Sequence, residues 1–415
     1  MHLKILVSII VFLLLTSSTL TAENKIDENH APILEKILKA TQLIDEDLLQ
    51  SFLKPLVDFA PRYTGSYGCI KAAEYIYTQF KKFGLNTRYH NWSAFGDRYH
   101  PRLYRSQNIE ATLEGVDDKI IVFNAHYDTV KTTPGANDDG SGTTAVLAAA
   151  YALSKLRFNH TLRFITFSGE EEGLLGSHEY AREVYSRGDN IIIEINADMI
   201  GRATTEESGN QIHLSISEDA EWVEEIFKEV NNLLHLGFNI HNYSIDREGR
   251  GWSDYFSFVE YGYESIACWD AEHDPNMHTP RDNLSNVNFS YLTRYTKLIV
   301  GVLVILADIE PPPLVRIVSP QIGYLYFDGM KIKPVKSTIV INDIWIWSET
   351  ISDAEKVEFY YDGKLQMVDT TKPFKWHCNK HSIGKHRIKV IAYGEGGFTS
   401  TDYIDLRIIN LLLKK

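Results

Sequence analysis

The sequence predicts an α/β protein, a mixed, mostly parallel sheet sandwiched by helices, followed by a small all-β sandwich of immunoglobulin-like kind. Three features point there. Buried-looking strands alternate with helices through the middle of the chain, a proline run (EPPPL, 310–314) follows the last long helix, and beyond it only short strands are legible. At 415 residues, 44% hydrophobic and 23% charged, the chain has material for two folded domains.

The chain opens with MHLKILVSIIVFLLLTSSTLTA. His2 and Lys4 precede an apolar run from Ile5 to Leu15, and small and polar residues continue to Ala22, the layout of a secretory signal peptide over 1–22. The run falls short of the roughly 20 residues of an unstrained membrane helix. The expectation is cleavage near Ala22, no stable membrane span afterwards, and a secreted, extracellular or cell-surface protein. A net charge of −13 with no dense Lys/Arg block argues against nucleic acid as a partner. Cys69, Cys268 and Cys378 make no metal-thiolate motif, so any metal needs oxygen and imidazole ligands.

From His30 to Phe59 apolar residues recur at helical spacing, with Leu34, Ile37 and Leu38 as one group and Ile44, Leu48 and Phe52 four apart. PRYTGSYG breaks the pattern, and a second amphipathic helix runs from Cys69 to Phe83, stopped by Gly84. Asn108–Leu113 and Lys119–Asn124 read as strands joined by a Gly/Asp turn. Then come a strand at Ile120–Ala125, a helix over Thr143–Leu156, a strand at Thr161–Phe167, a helix over Leu174–Tyr185 and a strand in IIIEINADMIG. Helices at Glu221–Leu234 and Phe289–Ile309 close this part. After EPPPL, alternating strands include a hairpin around Asp362-Gly363.

Polar residues gather where the middle strands end. His126 and Asp128 follow one strand, Asp138 and Asp139 sit in the glycine-rich GANDDGSG, Glu170–Glu172 follow the next strand, and Asp198 ends another. In an open α/β sheet such loops share one crevice. Crowded carboxylates need a cation, and no Lys/Arg motif interrupts these loops. A pair of divalent ions supplies it, and mixed His/carboxylate ligands suit zinc better than calcium. Two shells sharing a carboxylate need a further imidazole, and WDAEHDPNMHTPRDN offers His273 and His278.

In this order and spacing HYDT, GANDDGSG, FSGEEEGLLGS, NADMIG and MHTPRDN closely resemble the M28 family of zinc aminopeptidases, over residues 30–310. PRYTGSYG and SQNIEATLEG resemble that family's lead-in. The resemblance implies a zinc-peptidase domain over 30–310 followed by the immunoglobulin-like domain over 314–415. It implies two Zn2+ per chain: His126 and Asp198 on one ion, Glu171 and His278 on the other, and Asp138 bridging. Glu170 takes the place of the general base, and Asp128 that of the carboxylate orienting the His126 imidazole. Asp139 and Glu172 are expected to be loop or solvent-facing residues, and His273 a surface histidine or substrate contact. Asp254, in GWSDYFSF, resembles a Ser-Asp block near the family's substrate pocket, with Tyr255 where the family often has His.

The implied reaction is removal of N-terminal residues from peptide substrates, with a zinc-bridging hydroxide as nucleophile and Glu170 as base. A carboxypeptidase, dipeptidase or N-acyl amino acid hydrolase on the same scaffold would need a clamp for the substrate carboxylate. Arg202, Arg247, Arg250 and Arg281 lie in or near the loops. Glutaminyl cyclases resemble the fold with one zinc, and a decayed, non-catalytic receptor would have lost a ligand or the base. The β-sandwich offers a possible cell-surface or protein contact.

Overall fold

The computed structural model describes residues 31–245, 247, 251–394 and 398–410. The 1–22 leader expected from the sequence lies outside the described residues, as does Arg250. The described chain divides between Ile309 and Glu310 into two units.

In the first unit the helical spacing of 30–59 resolves into α1 (Ala31–Gln42) and α2 (Glu46–Asp58). Asp45 starts α2 by accepting the Leu48 N–H, an N-cap that a hydrophobic pattern alone does not reveal. Helix α3 (Tyr67–Phe83) is capped by Ser66 and ends at Gly84 in the left-handed region. β1 (Asn86–Phe95) and β2 (Leu103–Leu113) form an antiparallel hairpin. β3 (Ile120–His126), α4 (Gly140–Leu153), β4 (Thr161–Phe167), α5 (Leu175–Arg187) and β5 (Ile191–Ala197) alternate as the sequence predicts. There follow α6 (Glu206–Gly209), β6 (Gln211–Ile216), α7 (Glu221–Leu233), β7 (Asn239–Ser244), α8 (Tyr255–Val259), β8 (Ser265–Asp270) and α9 (Phe289–Leu306).

The eight strands lie in the order β1-β2-β4-β3-β5-β8-β6-β7. β2 and β3, consecutive in the chain, are not paired: β4 lies between them, antiparallel to β2 and parallel to β3. Every residue of β3 and β5 is buried, as a sheet covered on both faces requires. β4, β3, β5 and β8 are mutually parallel, so their C-terminal ends, and the loops that follow, open at one edge. Helix α9 is long and apolar enough to cross a membrane, yet it is mostly buried and serves as a core helix.

The second unit carries β9 (Val315–Ser319), β10 (Tyr324–Phe327), β11 (Met330–Pro334), β12 (Ile339–Ile341), β13 (Ile344–Thr350), β14 (Lys356–Tyr361), β15 (Lys364–Asp369), β16 (Phe374–Cys378), β17 (Ser382–Tyr393) and β18 (Thr399–Asn410). A seven-stranded sheet, β11-β10-β12-β18-β17-β14-β15, and a three-stranded one, β16-β13-β9, enclose a core that includes Ile346, Phe359, Trp376 and Val390. This is the immunoglobulin-like sandwich, with β12 unusual in running parallel to both neighbours. Asp362 and Gly363 turn the β14–β15 hairpin with positive φ at both residues, which selects Asp-Gly there.

Candidate metal centre

Asp138 organises the site. Its Oδ1 lies 3.4 Å from His126 Nε2, and its Oδ2 lies 3.1 Å from His278 Nε2. His278 Nε2 is also 3.2 Å from Glu171 Oε2, and His126 Nε2 is 3.7 Å from Asp198 Oδ1. One carboxylate thus faces two donor sets, His126/Asp198 and Glu171/His278. The ligand atoms of Asp138, Glu171 and His278 all fall within 4.8 Å of one another.

Each group is held from behind. Asp128, fully buried, accepts from the Thr64 hydroxyl (3.0 Å) and from the N–H groups of Glu170 and Glu171 (3.4 Å each). Its Oδ1 is 3.6 Å and its carbonyl 3.2 Å from His126 Nδ1, which leaves Nε2 for the site. Glu171 Oε1 accepts the Val130 N–H at 3.2 Å and so turns Oε2 toward His278. Asp282, from the expected closing block, accepts the N–H groups of Asn137 (2.7 Å) and Asp138 (3.1 Å). Gly169 (φ 82°) lets the strand turn into the glutamate loop, where a Cβ would meet the Trp92 ring at 2.7 Å.

One expectation holds in part and one is overturned. Asp139 is a loop residue, as expected, but fully buried rather than solvent-facing. Its carboxylate lies near His126 and Asp198, but its oxygens are engaged by backbone. Oδ1 accepts from Gly142 N–H (2.9 Å) and Met199 N–H (3.1 Å), and Oδ2 from His126 N–H (3.2 Å). Asp139 caps α4 and ties three loops together. Glu172, expected to face water, is 1% exposed, and neither carboxylate oxygen has a hydrogen-bond partner. The β1–β2 hairpin covers it, with Asp97 N–H donating to the Glu172 carbonyl at 3.1 Å. Burial first, and then the Asp128 charge, push its carboxyl up to about 8.

Sequence reading also passes over Arg62. This fully buried guanidinium donates to the carbonyls of Tyr127 (2.6 Å), Leu56 (3.0 Å), Pro134 (2.8 Å) and Gly135 (2.8 Å). It lies in PRYTGSYG, and only the cost of burying an arginine, invisible in sequence, marks it out. His273 is exposed and belongs to neither donor set. Asp254 is buried at the start of α8 with both oxygens unpartnered, and burial raises it to about 7. Of the arginines weighed as carboxylate clamps, Arg202 is committed to Glu272 (3.5 Å) and Asp274 (3.4 Å).

The electrostatics demand positive charge. Burial alone would lower His126, but Glu170, then Asp128, Asp138 and Asp198, hold it well above the usual histidine value. Asp138 and then Glu171 raise His278 to about 10. Burial and then the neighbouring Glu171 and Asp198 charges lift Glu170 well above the ordinary carboxylate range, against the pull of His126. Asp198 Oδ1, buried and without a hydrogen-bond partner, faces His126 Nε2. Imidazole and carboxylate donors with an orphaned oxygen fit a pair of divalent ions, and the nitrogen/oxygen set fits zinc.

Residues 108–303 match the model of Peptidase family M28. That part of the chain belongs to peptidase family M28. Among M28-like relatives, leucine aminopeptidase 1 of Ajellomyces capsulatus (strain NAm1 / WU24) is 27% identical over 292 residues, 65% of this chain and 74% of that protein. Aminopeptidase Y of Saccharomyces cerevisiae is 30% identical over 220 residues, 49% of this chain and 39% of that protein. The fold is shared with an aminopeptidase from Aneurinibacillus sp. strain AM-1, at a TM-score of 0.57 and 19% identity over 66% of this chain and 98% of that one. A zinc aminopeptidase from Bacillus subtilis superposes at a TM-score of 0.55 with 18% identity over 64% and 96% of the two chains. The M28 match spans β2 to most of α9, the part of the chain that contributes every residue of both donor sets.

Proposed function

We propose that this M28 peptidase is a zinc-dependent aminopeptidase with two ions sharing Asp138. His126 and Asp198 hold one, and Glu171 and His278 the other. The observation that carries this reading is the division of Asp138, with one oxygen toward each imidazole. When bound, the ions supply a water of lowered pKa and polarise the scissile carbonyl. Glu170 is the base: its Oε2 stands 4.0 Å from His126 Nε2, and it is not claimed by either donor set. It takes a proton from the attacking water and returns it to the leaving amine. Asp128 fixes the His126 tautomer and, through two N–H acceptances, the position of the glutamate loop. The carboxylate-rich wall attracts the protonated amine of the substrate.

Two readings on the same scaffold stand behind this one, peptidases that clamp a substrate carboxylate and hydrolases of N-acyl amino acids. A direct test compares a free-amine tripeptide with its N-acetylated form on metal-loaded protein. An aminopeptidase loses about 100-fold or more in kcat/KM on acetylation, because the ammonium contact and the group's fit are lost together. Equal cleavage of both peptides sinks the proposal.

A further inference from the structure

The Glu171/His278 half of the site stands beside a positively charged rim. Val130 and Thr132 pin one segment of it: Val130 N–H donates to Glu171 at 3.2 Å, and the Thr132 hydroxyl donates to the His278 carbonyl at 3.1 Å. Lys131, between them, is exposed, with its Nζ 4.5 Å from the centroid of the Tyr63 ring. Arg102 reaches the same ring from β2's approach. Its guanidinium is 5.4 Å from the Tyr63 centroid and 4.3 Å from that of Tyr104, and it donates to the Tyr63 hydroxyl at 3.0 Å. The two tyrosines meet edge-on, their hydroxyls 2.9 Å apart, and pack against Trp92 and Leu175. Tyr63 precedes Thr64, whose hydroxyl holds Asp128.

Two cations therefore sit on one aromatic support that is bonded into the scaffold of the site. Among the described residues, neither Lys131 nor Arg102 makes an ion pair. The acid that Arg102 feels, Glu172, is buried. On a chain of net charge −13, unpaired cations at the mouth of an acidic site offset its repulsion of anionic groups.

We infer that Lys131 and Arg102 form a carboxylate-binding subsite for the leaving portion of the substrate. This rests on the aminopeptidase reading. In that reading a single residue lies on the amino side of the scissile bond, so a carboxylate beyond it belongs to the leaving portion. Its source is either the free C-terminus of a short peptide or an acidic side chain next to the bond.

The test uses the full, metal-loaded chain and four substrates: Leu-Gly, Leu-Gly-amide, Leu-Asp-amide and Leu-Asn-amide. The expected result is about a three- to tenfold advantage in kcat/KM for the acid of at least one pair, carried in KM and shrinking as salt rises. An advantage confined to Leu-Gly assigns the C-terminus, and one confined to Leu-Asp-amide assigns the side chain. Lys131→Gln with Arg102→Gln brings the ratio toward one, and Lys131→Arg restores it in the single-site background. Equal rates within both pairs, or a preference that survives the double substitution, overturn the subsite while leaving the aminopeptidase reading intact. Failure to cleave any of the four overturns that reading, and the subsite with it.

Discussion

Glu170, Glu171 and Glu172 are adjacent, yet their surroundings give them three different fates. A glutamine scan separates them. Glu170→Gln is expected to keep the metal content and lower kcat by about 10²- to 10⁴-fold, the usual range for a lost general base. Glu171→Gln weakens one ion, so that part of its lost activity returns with added zinc. Glu172→Gln changes both by less than about twofold, since a carboxyl raised to about 8 is already protonated near neutrality and glutamine keeps its shape. Metal analysis alongside kcat decides the matter. If Glu170→Gln loses metal in step with activity, base and ligand have been exchanged. The difference between Glu170 and Glu171 is legible in sequence through the ordered blocks around them. The burial of Glu172 is not, because its cover comes from the β1–β2 hairpin, some seventy residues away.

At the scale of elements, the loops at the sheet edge are knitted by groups that do no chemistry. Arg62 binds four carbonyls from three segments, and removing it leaves each of them buried and short of a donor. Arg62→Met is expected to cost about 3–4 kcal/mol in urea unfolding of the metal-free protein. Arg62→Lys recovers only part, since an ammonium cannot span the same fork of acceptors. A loss below about 1 kcal/mol for the methionine variant would mean water replaces the guanidinium. The sequence discloses β3, α4, β4, α5 and β5 because short, mostly apolar strands alternate with helical stretches and their flanks are glycine or polar. It does not disclose β1 or β7, whose buried and exposed positions do not alternate cleanly, nor β6 and β8, runs of only six residues each, nor the Asp45 cap that splits the first helical stretch.

At the scale of the whole molecule, a buried acid whose carboxyl is raised makes stability fall as pH rises. Glu194 on β5 is fully buried, accepts from the Asn124 amide, and is raised by burial from 4.5 to about 8. The folded state thus keeps a proton that the unfolded chain releases. Stability from this residue is present below pH 4.5 and declines until about pH 8. Glu194→Gln removes that decline and should gain about 2–4 kcal/mol relative to the native chain between pH 5 and pH 9, followed by denaturant unfolding at each pH. A parallel pH dependence in the two proteins would show that Glu194 is solvated after all. The change of texture after EPPPL, from mixed helices and strands to strands alone, is legible at this scale. Strand order is not, because the place of β12 between β10 and β18 depends on pairings far apart in the chain.

The place of β4 bears on how the chain is made. During translation β2 and β3 leave the ribosome in succession, each with an open hydrogen-bonding edge, while the strand that belongs between them is still unsynthesised. Direct pairing of the two would close a short loop quickly and cheaply, but it would bar β4 from its seat. That seat is filled only when Thr161–Phe167 arrives, after α4, which packs on β3, has been made.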